Sequence, residues 1–271
     1  MTQSAAVAKH YGEGDLTRRL PGILQSAGLG SGPVDWSRLT GFDQFHARGL
    51  LASKELADGL QLQPGDHVLD VGSGVGGPAR FLAATCGVRV TGIDLTPDFV
   101  SAATLLSEHA GLSGKTQFVQ GDALDMRSPD ASFDHAWTQH VAMNIPDKAR
   151  LYREVHRVLK PRGRFGIYDI VRGPAGDPHY PLPWAADASF SFLATPAEMR
   201  ELLTNVGFRE LSFEDKTQDA LRWLADLPNT PPAGLTLHDL VGPEWQARFA
   251  NFAQSLKEQK LGLLQAILKK A

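Results

Sequence analysis

The chain of 271 residues is long enough to bury a large core, and its 42% apolar and 21% charged residues are typical of a globular domain. A formal net charge of −3 gives no electrostatic basis for binding a nucleic-acid backbone or an anionic membrane. The single cysteine, Cys86, excludes an intramolecular disulfide and a cysteine metal cluster.

Residues 1–60 are predicted to form a helical lid segment, followed by one domain over residues 61–271. Leu16, Leu20 and Leu24 repeat at helical spacing, and Pro21 predicts a break among them. A second predicted buried face contains Phe42, Phe45, Leu50, Leu56 and Leu60. No apolar run is long enough for a signal peptide or a membrane span, so we expect a cytoplasmic protein.

The next segment, residues 67–80, predicts a strand, a glycine-rich turn and the start of a helix. Gly72, Gly74 and Gly77 match the pattern G-x-G-x-x-G, in which bare backbone N–H groups face a ligand at a helix N-terminus. Asp70, two residues before the first glycine, repels a pyrophosphate and attracts an ammonium group. S-adenosylmethionine (SAM) has an ammonium group and no phosphate, so Asp70 favours SAM over NAD. The alternative is that Asp70 only orients the loop.

Two further acids follow at the ends of predicted strands. The second strand, residues 88–94, ends at Asp94, which lies 22 residues after Gly72, where a carboxylate accepts hydrogen bonds from both ribose hydroxyls. Thr96 is predicted to cap a helix over residues 97–110. A third strand at 117–120 leads to Asp122, which fits either an adenine amine or an ordinary turn.

A polar cluster follows the predicted fourth strand, residues 133–138. It contains Gln139, His140, Met143 and Asn144. Ligands of open α/β sheets bind outside the carboxyl ends of the strands, so this cluster indicates the reaction site. Asp147 is predicted to begin an amphipathic helix over residues 147–159, and residues 164–171 form a fifth strand.

From residue 172 onward the alternation of strands and helices stops. Residues 172–194 are rich in proline and aromatic side chains, which predicts an ordered cap over the site. Thr195, Pro196 and Glu198 form a capping box that begins a helix over 196–205. The remaining predicted elements are a sixth strand at 208–214, a polar helix with Trp223, a proline-rich loop at 228–233, a helix at 243–259 and a seventh strand at 261–268, where Gly262 argues against a helix.

The combined motifs resemble class I SAM-dependent methyltransferases. The residues that carry the resemblance are VLDVGSGVGGPARFLA, TGIDLTPDFV, GDALDM, SFDHAWTQHVAMNI and EVHRVLKPRGRFGIYDI, within residues 42–215. Within that class, the chain is similar to small-molecule enzymes of the sarcosine/dimethylglycine, phosphoethanolamine and tocopherol methyltransferase type. The resemblance implies an α/β, Rossmann-like seven-stranded sheet of order 3-2-1-4-5-7-6, with an antiparallel last strand, helices on both faces and a cap.

The resemblance also implies how the cofactor is held. Gly72 and Gly74 lie against the methionine part of SAM, and Asp70 supports its ammonium group. Asp94 binds the ribose, while adenine meets Leu95, Asp122 and Ala123. The remaining implied cofactor contacts are Gln139 and the covering turn from His46 to Gly49. Tyr11 matches an aromatic residue that caps the site in related N-methyltransferases.

One position departs from the resemblance. Phosphoethanolamine methyltransferases of this type have a catalytic histidine where Asn144 stands here, so phosphoethanolamine becomes doubtful as the acceptor. We predict His140 as the general base, because imidazole titrates near working pH; a structural histidine is the alternative. The predicted catalytic residues are His140, Asn144 and Tyr11, and the predicted acceptor pocket contains Met143, Asn144, Tyr180 and Trp184, with Phe190 and Phe192 packing the cap.

The sequence therefore predicts methyl transfer from SAM to a small organic acceptor, with S-adenosylhomocysteine (SAH) as product. N-methylation of an amine is slightly preferred over O- or C-methylation of a phenol, quinol or isoprenoid. A non-catalytic SAM-binding regulator and a dehydrogenase remain alternatives. A metal-dependent O-methyltransferase is a weaker one, because only Asp169 joins the strand-four cluster as an acid. We predict a small-molecule partner, no nucleic-acid partner and no bound metal.

Overall fold

A computed structural model describes residues 15–30, 33–227 and 245–271. It contains one seven-stranded sheet of order β3-β2-β1-β4-β5-β7-β6. The strands are β1 (His67–Val71), β2 (Arg89–Asp94), β3 (Thr116–Gln120), β4 (Phe133–Gln139), β5 (Leu159–Arg172), β6 (Phe208–Asp215) and β7 (Leu261–Lys270).

Six strands of this sheet are parallel, and β7 runs antiparallel between β5 and β6. Gly262 lies in β7 opposite Val171, so the predicted seventh strand is confirmed. The predicted strand order and α/β class are confirmed as well. Because β1 lies between β2 and β4, the chain changes direction of winding beside β1, and ligands of such sheets bind at that point.

Helices cover both faces of the sheet. They are α1 (Leu16–Ser26), α2 (Thr40–Asp43), α3 (Gly49–Leu60), α4 (Gly77–Thr85), α5 (Pro97–His109), α6 (Lys148–Val158), α7 (Pro196–Val206), α8 (Thr217–Asp226) and α9 (Trp245–Lys257). Side chains of α3, α4, α8 and α9 share one apolar core with one face of the sheet. Side chains of α6 and α7 share a second core with the opposite face, and α1 packs on α5.

The starts of two helices follow the predicted capping chemistry. The Asp147 side chain accepts a hydrogen bond from the Arg150 N–H at the start of α6. Thr195 and Glu198 form the predicted capping box of α7. The prediction for α5 was wrong in one respect, because the Thr96 hydroxyl makes no capping hydrogen bond there. Its backbone N–H instead donates to the Asp94 carboxylate at 2.9 Å.

The predicted break at Pro21 is also wrong, because α1 continues through it. Proline removes one backbone hydrogen bond. Three leucines, Leu16, Leu20 and Leu24, remain on one buried face, and the Leu16 N–H donates to an Asp98 carboxylate oxygen at 2.5 Å. Apolar burial and this link to α5 offset the lost backbone bond.

Just before the sheet, the two helices α2 and α3 are joined by a tight turn. Arg48 lies in this turn with a φ of 65° and forms two hydrogen bonds to the Glu55 carboxylate, at 2.9 and 2.5 Å. The next helix, α3, places Leu56 and Leu60 against Gly166 of β5. The division of the chain at residue 60 stays a prediction.

Residues 172–194, called the cap below, are mostly irregular and contain a short 3-10 turn, Ala188–Phe190. Two more 3-10 turns occur at Trp36–Leu39 and Ala142–Asn144. In the described ranges, the search for a helix with the length and apolarity to span a membrane found none.

Candidate functional site

A deep pocket opens at the carboxyl ends of β1, β2 and β4, where the predicted site residues converge. Its lining divides into two parts. One part, called the cofactor half below, contains Asp70, Gly72, Gly74, Asp94, Leu95, Phe99, Asp122 and Ala123. The other, called the acceptor half, contains Trp184, Trp223, Trp245, Phe249 and Phe252. Gln139, His140, Met143 and His46 also line this pocket.

The glycine loop between β1 and α4 needs glycine at two positions for different reasons. Gly72 has a φ of 73°, and a Cβ there would lie 2.3 Å from a Val141 methyl group. Gly74 has a φ of 52°, and its missing side chain would point into open space. Gly72 therefore lets two loops pack closely, whereas Gly74 leaves its side of the pocket accessible to a ligand.

Asp70 lies beneath this loop as a buried carboxyl group. Its Oδ2 atom has no hydrogen-bond partner within the described part of the chain. Burial raises the pKa of Asp70 to about 7, and the neighbouring Trp137 side chain opposes the shift only in part. An unpaired buried carboxylate is costly, and a ligand ammonium group at this position would relieve that cost.

Asp94 occupies the end of the adjacent strand and is held by the backbone on both sides. Its Oδ2 accepts from the Gly74 N–H at 2.8 Å, and its Oδ1 accepts from the Thr96 N–H at 2.9 Å. Burial raises its pKa, and these hydrogen bonds counteract the shift. Each carboxylate oxygen has a second acceptor site, so Asp94 has the capacity to bind two ribose hydroxyls as well.

Asp122 follows β3 at the far end of the cofactor half. Its Oδ1 accepts a hydrogen bond from the Leu124 N–H at 2.9 Å, which is the geometry of an Asx turn. Ala123 and Leu95 line the same part of the pocket. This arrangement offers apolar surface and a carboxylate to a planar base.

His140 lies directly after β4, at the boundary between the two halves. Its backbone has a φ of 54°, a conformation that is uncommon outside glycine, and its N–H donates to the Tyr168 carbonyl at 2.8 Å. The imidazole stacks on the Tyr168 ring with centroids 5.4 Å apart. Nε2 of His140 is buried and makes no hydrogen bond to any described residue. Burial lowers the pKa of His140 far below its ordinary value, so the ring is neutral at pH 7.

The loop that carries His140 is fixed from below by Asp169 of β5. The Asp169 carboxylate accepts hydrogen bonds from the Ala142 N–H and the Ile170 N–H, both at 2.8 Å. Burial raises the pKa of Asp169 to about 6. Asp169 thus stabilises the backbone of the loop, a role that sequence reasoning did not assign to it.

A second histidine faces His140 across the pocket. The His46 and His140 ring centroids lie 6.0 Å apart in an edge-to-face arrangement. His46 Nε2 donates to the Gly49 carbonyl at 2.9 Å and lies 3.2 Å from the Ser53 hydroxyl. Burial lowers the pKa of His46 to about 4. The Gly49 carbonyl therefore fixes the tautomer and leaves the lone pair on Nδ1.

Ser53 links His46 to two buried amides. Its hydroxyl lies 2.9 Å from Gln44 Oε1 and 3.3 Å from Gln139 Oε1. The Nε2 atoms of both glutamines are buried, with no hydrogen-bond partner in the described ranges. The Gln139 amide lines the pocket, so its unpaired N–H group is available to a ligand carboxylate.

The structure brings most of the predicted site residues together in this pocket. Those that line it are His46, Asp70, Gly72, Gly74, Asp94, Leu95, Asp122, Ala123, Gln139, His140, Met143, Asn144 and Trp184. Gly49 lies outside the lining and hydrogen-bonds His46 through both its carbonyl and its N–H, and Tyr180 packs beside the core, also outside the lining. Tyr11 and the loop at 228–233 lie outside the described residues.

Sequence reasoning missed most of the acceptor half. Trp245, Phe249 and Phe252 repeat along α9 at helical spacing, which signals a buried face, yet nothing local indicates that this face meets Trp184. The Trp184 and Phe252 rings lie edge to face with centroids 6.2 Å apart. Four aromatic side chains on α8 and α9, Trp223, Trp245, Phe249 and Phe252, thus line the space that was predicted to be lined by the cap and the loop after β4.

A buried ion pair behind the glycine loop was also missed. Arg80 donates from Nη2 to Asp43 Oδ2 at 2.8 Å and to the Val75 carbonyl at 2.7 Å. Asp43 lines the pocket and precedes the turn that carries His46. The pair therefore joins the segment before the sheet to the cofactor half. A search of the described residues for three clustered metal-ligating side chains found none.

A parallel sheet whose first βα turn is glycine-rich, with acids at the ends of β1 and β2 and an antiparallel β7, defines the class I methyltransferase fold. Comparison with known proteins agrees with this class. A family model described as a methyltransferase domain matches residues 69–167. The chain thus contains a methyltransferase domain of the class I SAM-dependent type, and the resemblance identified from the sequence is confirmed.

The curated relatives differ in their acceptors. The chain is 44% identical over 114 residues to sterol 24-C-methyltransferase ERG6B of Gibberella zeae, which covers 42% of this chain and 30% of the relative. It is 33% identical over 196 residues to phosphoethanolamine N-methyltransferase 3 of Arabidopsis thaliana, which covers 72% of this chain and 39% of the relative. The chain therefore spans well under two thirds of these relatives.

Among solved structures, geranyl diphosphate C-methyltransferase of Streptomyces coelicolor A3(2) shares the fold over the whole chain. The TM-score is 0.74 at 19% identity, covering 100% of this chain and 99% of that one. That structure contains Mg²⁺, geranyl-S-thiolodiphosphate and S-adenosyl-L-homocysteine. The prediction that SAM is the cofactor is confirmed for the methyltransferase family.

Proposed function

We propose that this protein transfers the methyl group of SAM to a small, largely apolar organic acceptor. The observation that carries the proposal is the unpaired Oδ2 of Asp70 under the glycine loop. It is a buried anionic site of the size and position for a ligand ammonium group, and the opposite half of the same pocket is aromatic.

The residues of the cofactor half fit SAM group by group. Asp70 would pair with the ammonium group, Gln139 would donate to the carboxylate, and Asp94 would accept from the ribose hydroxyls. The adenine would lie among Leu95, Asp122 and Ala123, while Gly72 and Gly74 border the methionine part. When bound, SAM supplies a methyl group on a sulfonium, which the acceptor displaces in line.

His140 is the proposed general base. Its unpaired, buried Nε2 and its neutral state at pH 7 allow it to accept a proton at the boundary between cofactor and acceptor. Stacking on Tyr168 and the Asp169-bound loop hold the ring in place. Asn144 does not share this role, because an amide does not accept a proton at working pH.

The low basicity of His140 bears on which atom is methylated. An alkylammonium group has a pKa near 10, so a histidine with a strongly lowered pKa removes its proton poorly. An alkene that accepts the methyl cation becomes a carbocation, and a hydroxyl that accepts it becomes an oxonium ion. Each is a far stronger acid and gives up a proton to the base to form the neutral product. This difference, together with the aromatic acceptor half, supports C- or O-methylation of an isoprenoid, phenol or quinol.

N-methylation of an amine is the second candidate. Its support is the set of tryptophan and phenylalanine faces in the acceptor half, since such faces bind cationic amines. An amine that enters uncharged needs no base, and His140 would then only line the pocket. The two candidates therefore differ in their dependence on His140.

Calorimetric titration with SAM, SAH and NAD tests the cofactor first. We expect binding of SAM and SAH and none of NAD; binding of NAD alone would indicate a dehydrogenase. Transfer of labelled methyl from SAM is then measured on a panel of isoprenoid alcohols, phenols, quinols and amines. SAM binding without transfer to any of them would favour a regulator over an enzyme.

A further inference from the structure

Asn144 makes an unusual use of its side chain. It lies in the 3-10 turn after β4 and lines the pocket. Its Nδ2 donates to the Trp184 carbonyl at 3.0 Å and to the Phe190 carbonyl at 2.9 Å. A single amide nitrogen has two hydrogens, so one side chain bonds two separate points of the cap.

Lys148, one turn further on, bonds the same segment. It is buried at the start of α6, and its Nζ donates to the Phe192 carbonyl and, at 2.8 Å, to the Ile145 carbonyl. The backbone adds a third link, because the Phe192 N–H donates to the Met143 carbonyl at 2.7 Å. Side-chain and backbone hydrogen bonds thus join the loop after β4 to the second half of the cap.

The two joined segments carry different parts of the site. The cap presents Trp184, whose indole N–H donates to the Ser191 hydroxyl at 3.1 Å and whose ring packs on Phe252. The loop presents His140, four residues before Asn144. The distance between Trp184 in the acceptor half and His140 therefore depends on how these two segments are attached to each other.

The first half of the cap is attached elsewhere. Arg248 and Asn251, both on α9, donate to the Leu182 and Pro181 carbonyls, each at 3.0 Å. These bonds fix the cap to the C-terminal helix and leave the loop after β4 out of the contact. Only the bonds of Asn144 and Lys148 connect side chains of that loop region to the second half of the cap among those described.

We infer that Asn144 and Lys148 are positioning residues that set the acceptor wall at Trp184 relative to His140. This inference rests on the proposed function, because it assigns the second half of the cap to acceptor binding. It also replaces the predicted catalytic role of Asn144 with a mechanical one. An amide donates to two carbonyls at every pH, which a histidine at this position does not do.

Hydrogen–deuterium exchange with SAH bound tests the inference in the 271-residue chain. We expect Asn144→Ala and Lys148→Met each to speed exchange of residues 184–193 by about tenfold, since each removes two hydrogen bonds. SAH affinity should stay within about twofold of the wild type, because neither side chain is assigned to the cofactor half. The emission of Trp184 should shift to longer wavelength as its surroundings loosen.

Two matched variants control for position and residue type. Asn251→Ala should loosen residues 180–182 and leave 190–193 unchanged, because it cuts the other attachment. Lys160→Met removes a lysine whose only described bond is to Asp134, and it should leave the cap unchanged. Once an acceptor is found, Asn144→Ala should raise its KM about tenfold and leave the KM for SAM unchanged.

Unchanged exchange of the cap in both Asn144→Ala and Lys148→Met would overturn the inference. A fold-loss of SAH affinity as large as the fold-increase in the exchange rate of the cap would also overturn it, because the residues would then serve the cofactor half. Failure of the proposed function has a different signature: the wild type itself would bind no SAH or transfer no methyl group.

Discussion

The two halves of the pocket are built in different ways. In the cofactor half, Asp70, Gly74 and Asp94 lie within 25 consecutive residues, and backbone N–H groups hold the Asp94 carboxylate. In the acceptor half, Trp184, Trp223 and Phe252 come from the cap, α8 and α9, and side-chain packing holds them. Three central residues of the cofactor half thus come from one βαβ unit, whereas the acceptor half combines three elements that are distant in the sequence.

The strongest test of this comparison removes the residue between the halves. His140→Ala should lower the transfer rate about 10²- to 10⁴-fold if a base is needed. SAH affinity should be unchanged, because the imidazole is assigned to neither half. Steady-state transfer of labelled methyl, combined with SAH titration, measures both quantities.

His109→Ala is the matched control, since His109 lies on α5 and its side chain hydrogen-bonds only the Leu105 carbonyl among the described residues. Equal rates for wild type and His140→Ala across the pH range would dismiss the base role. That result would return the amine acceptor to first place.

The next test addresses the cofactor half alone. Asp70→Asn should weaken SAH binding about 30- to 100-fold, because a charge-assisted contact to the ammonium group is lost. The same change should raise the melting temperature of the ligand-free protein. Folding raises the pKa of Asp70 from 3.8 to about 7, so ionising it above that range costs up to about 4 kcal/mol of stability.

Calorimetry and thermal unfolding at pH 8 measure the two effects, with the exposed Asp58→Asn as control. A variant Asp70→Asn that keeps wild-type SAH affinity would contradict the assignment of the ammonium site. It would also remove the main physical reason for preferring SAM over a phosphate-bearing nucleotide.

The pH dependence of SAH binding is a smaller effect of the same carboxyl group. Below a pKa of about 7, Asp70 holds a proton that must leave before it pairs with an ammonium group. SAH affinity should therefore fall about tenfold from pH 8 to pH 6, and binding at pH 6 should release a proton. Titration in buffers of different ionisation enthalpy measures that proton.

This slope should vanish in Asp70→Asn. His46 and His140 do not produce it, because burial keeps both rings neutral throughout this range. A slope that survives in the variant would assign the proton to another group.

The smallest expected effect belongs to the acceptor half. Trp223→Leu should raise the KM of an apolar acceptor about fivefold, since Trp223 lines the pocket and packs edge to face on Phe249. SAH affinity should stay unchanged. Trp36→Leu is the matched control, because Trp36 packs on Phe81 outside the pocket lining. A parallel change in both affinities would break the division into halves.

The fold was predictable because its signals are local. Hydrophobic runs that contain Asp70 and Asp94 near their ends mark β1 and β2, and Gly262 within the last apolar run favours a strand over a helix there. The error at Pro21 arose because tertiary burial of Leu20 and Leu24 outweighs a local helix-breaking preference. The predicted hydroxyl cap at Thr96 was wrong for a related reason. The backbone N–H of Thr96 donates to the Asp94 carboxylate, and its hydroxyl makes no capping bond at the start of the helix.

Site residues were predictable where their spacing along the chain indicates them, and not where distant elements of the chain come together. The acids of the cofactor half follow from spacing along the chain, and the structure brings all of them to the pocket, although their binding roles stay predictions. Tyr180 lies outside the lining, because the cap turns Pro183 and Trp184 inward instead. The pair of Asp43 and Arg80 joins residues 37 positions apart, and no local pattern indicates such a pairing.

The two backbone bonds to Asp94 have a consequence for how a nucleoside associates with the protein. The carboxylate is already immobilised before any ligand binds, and the N–H groups of Gly74 and Thr96 that immobilise it belong to the glycine loop and to the residue before α5. Little side-chain or loop entropy then remains to be lost on association. The proposed binding of the ribose by Asp94 would therefore be docking against a rigid template rather than an induced closure.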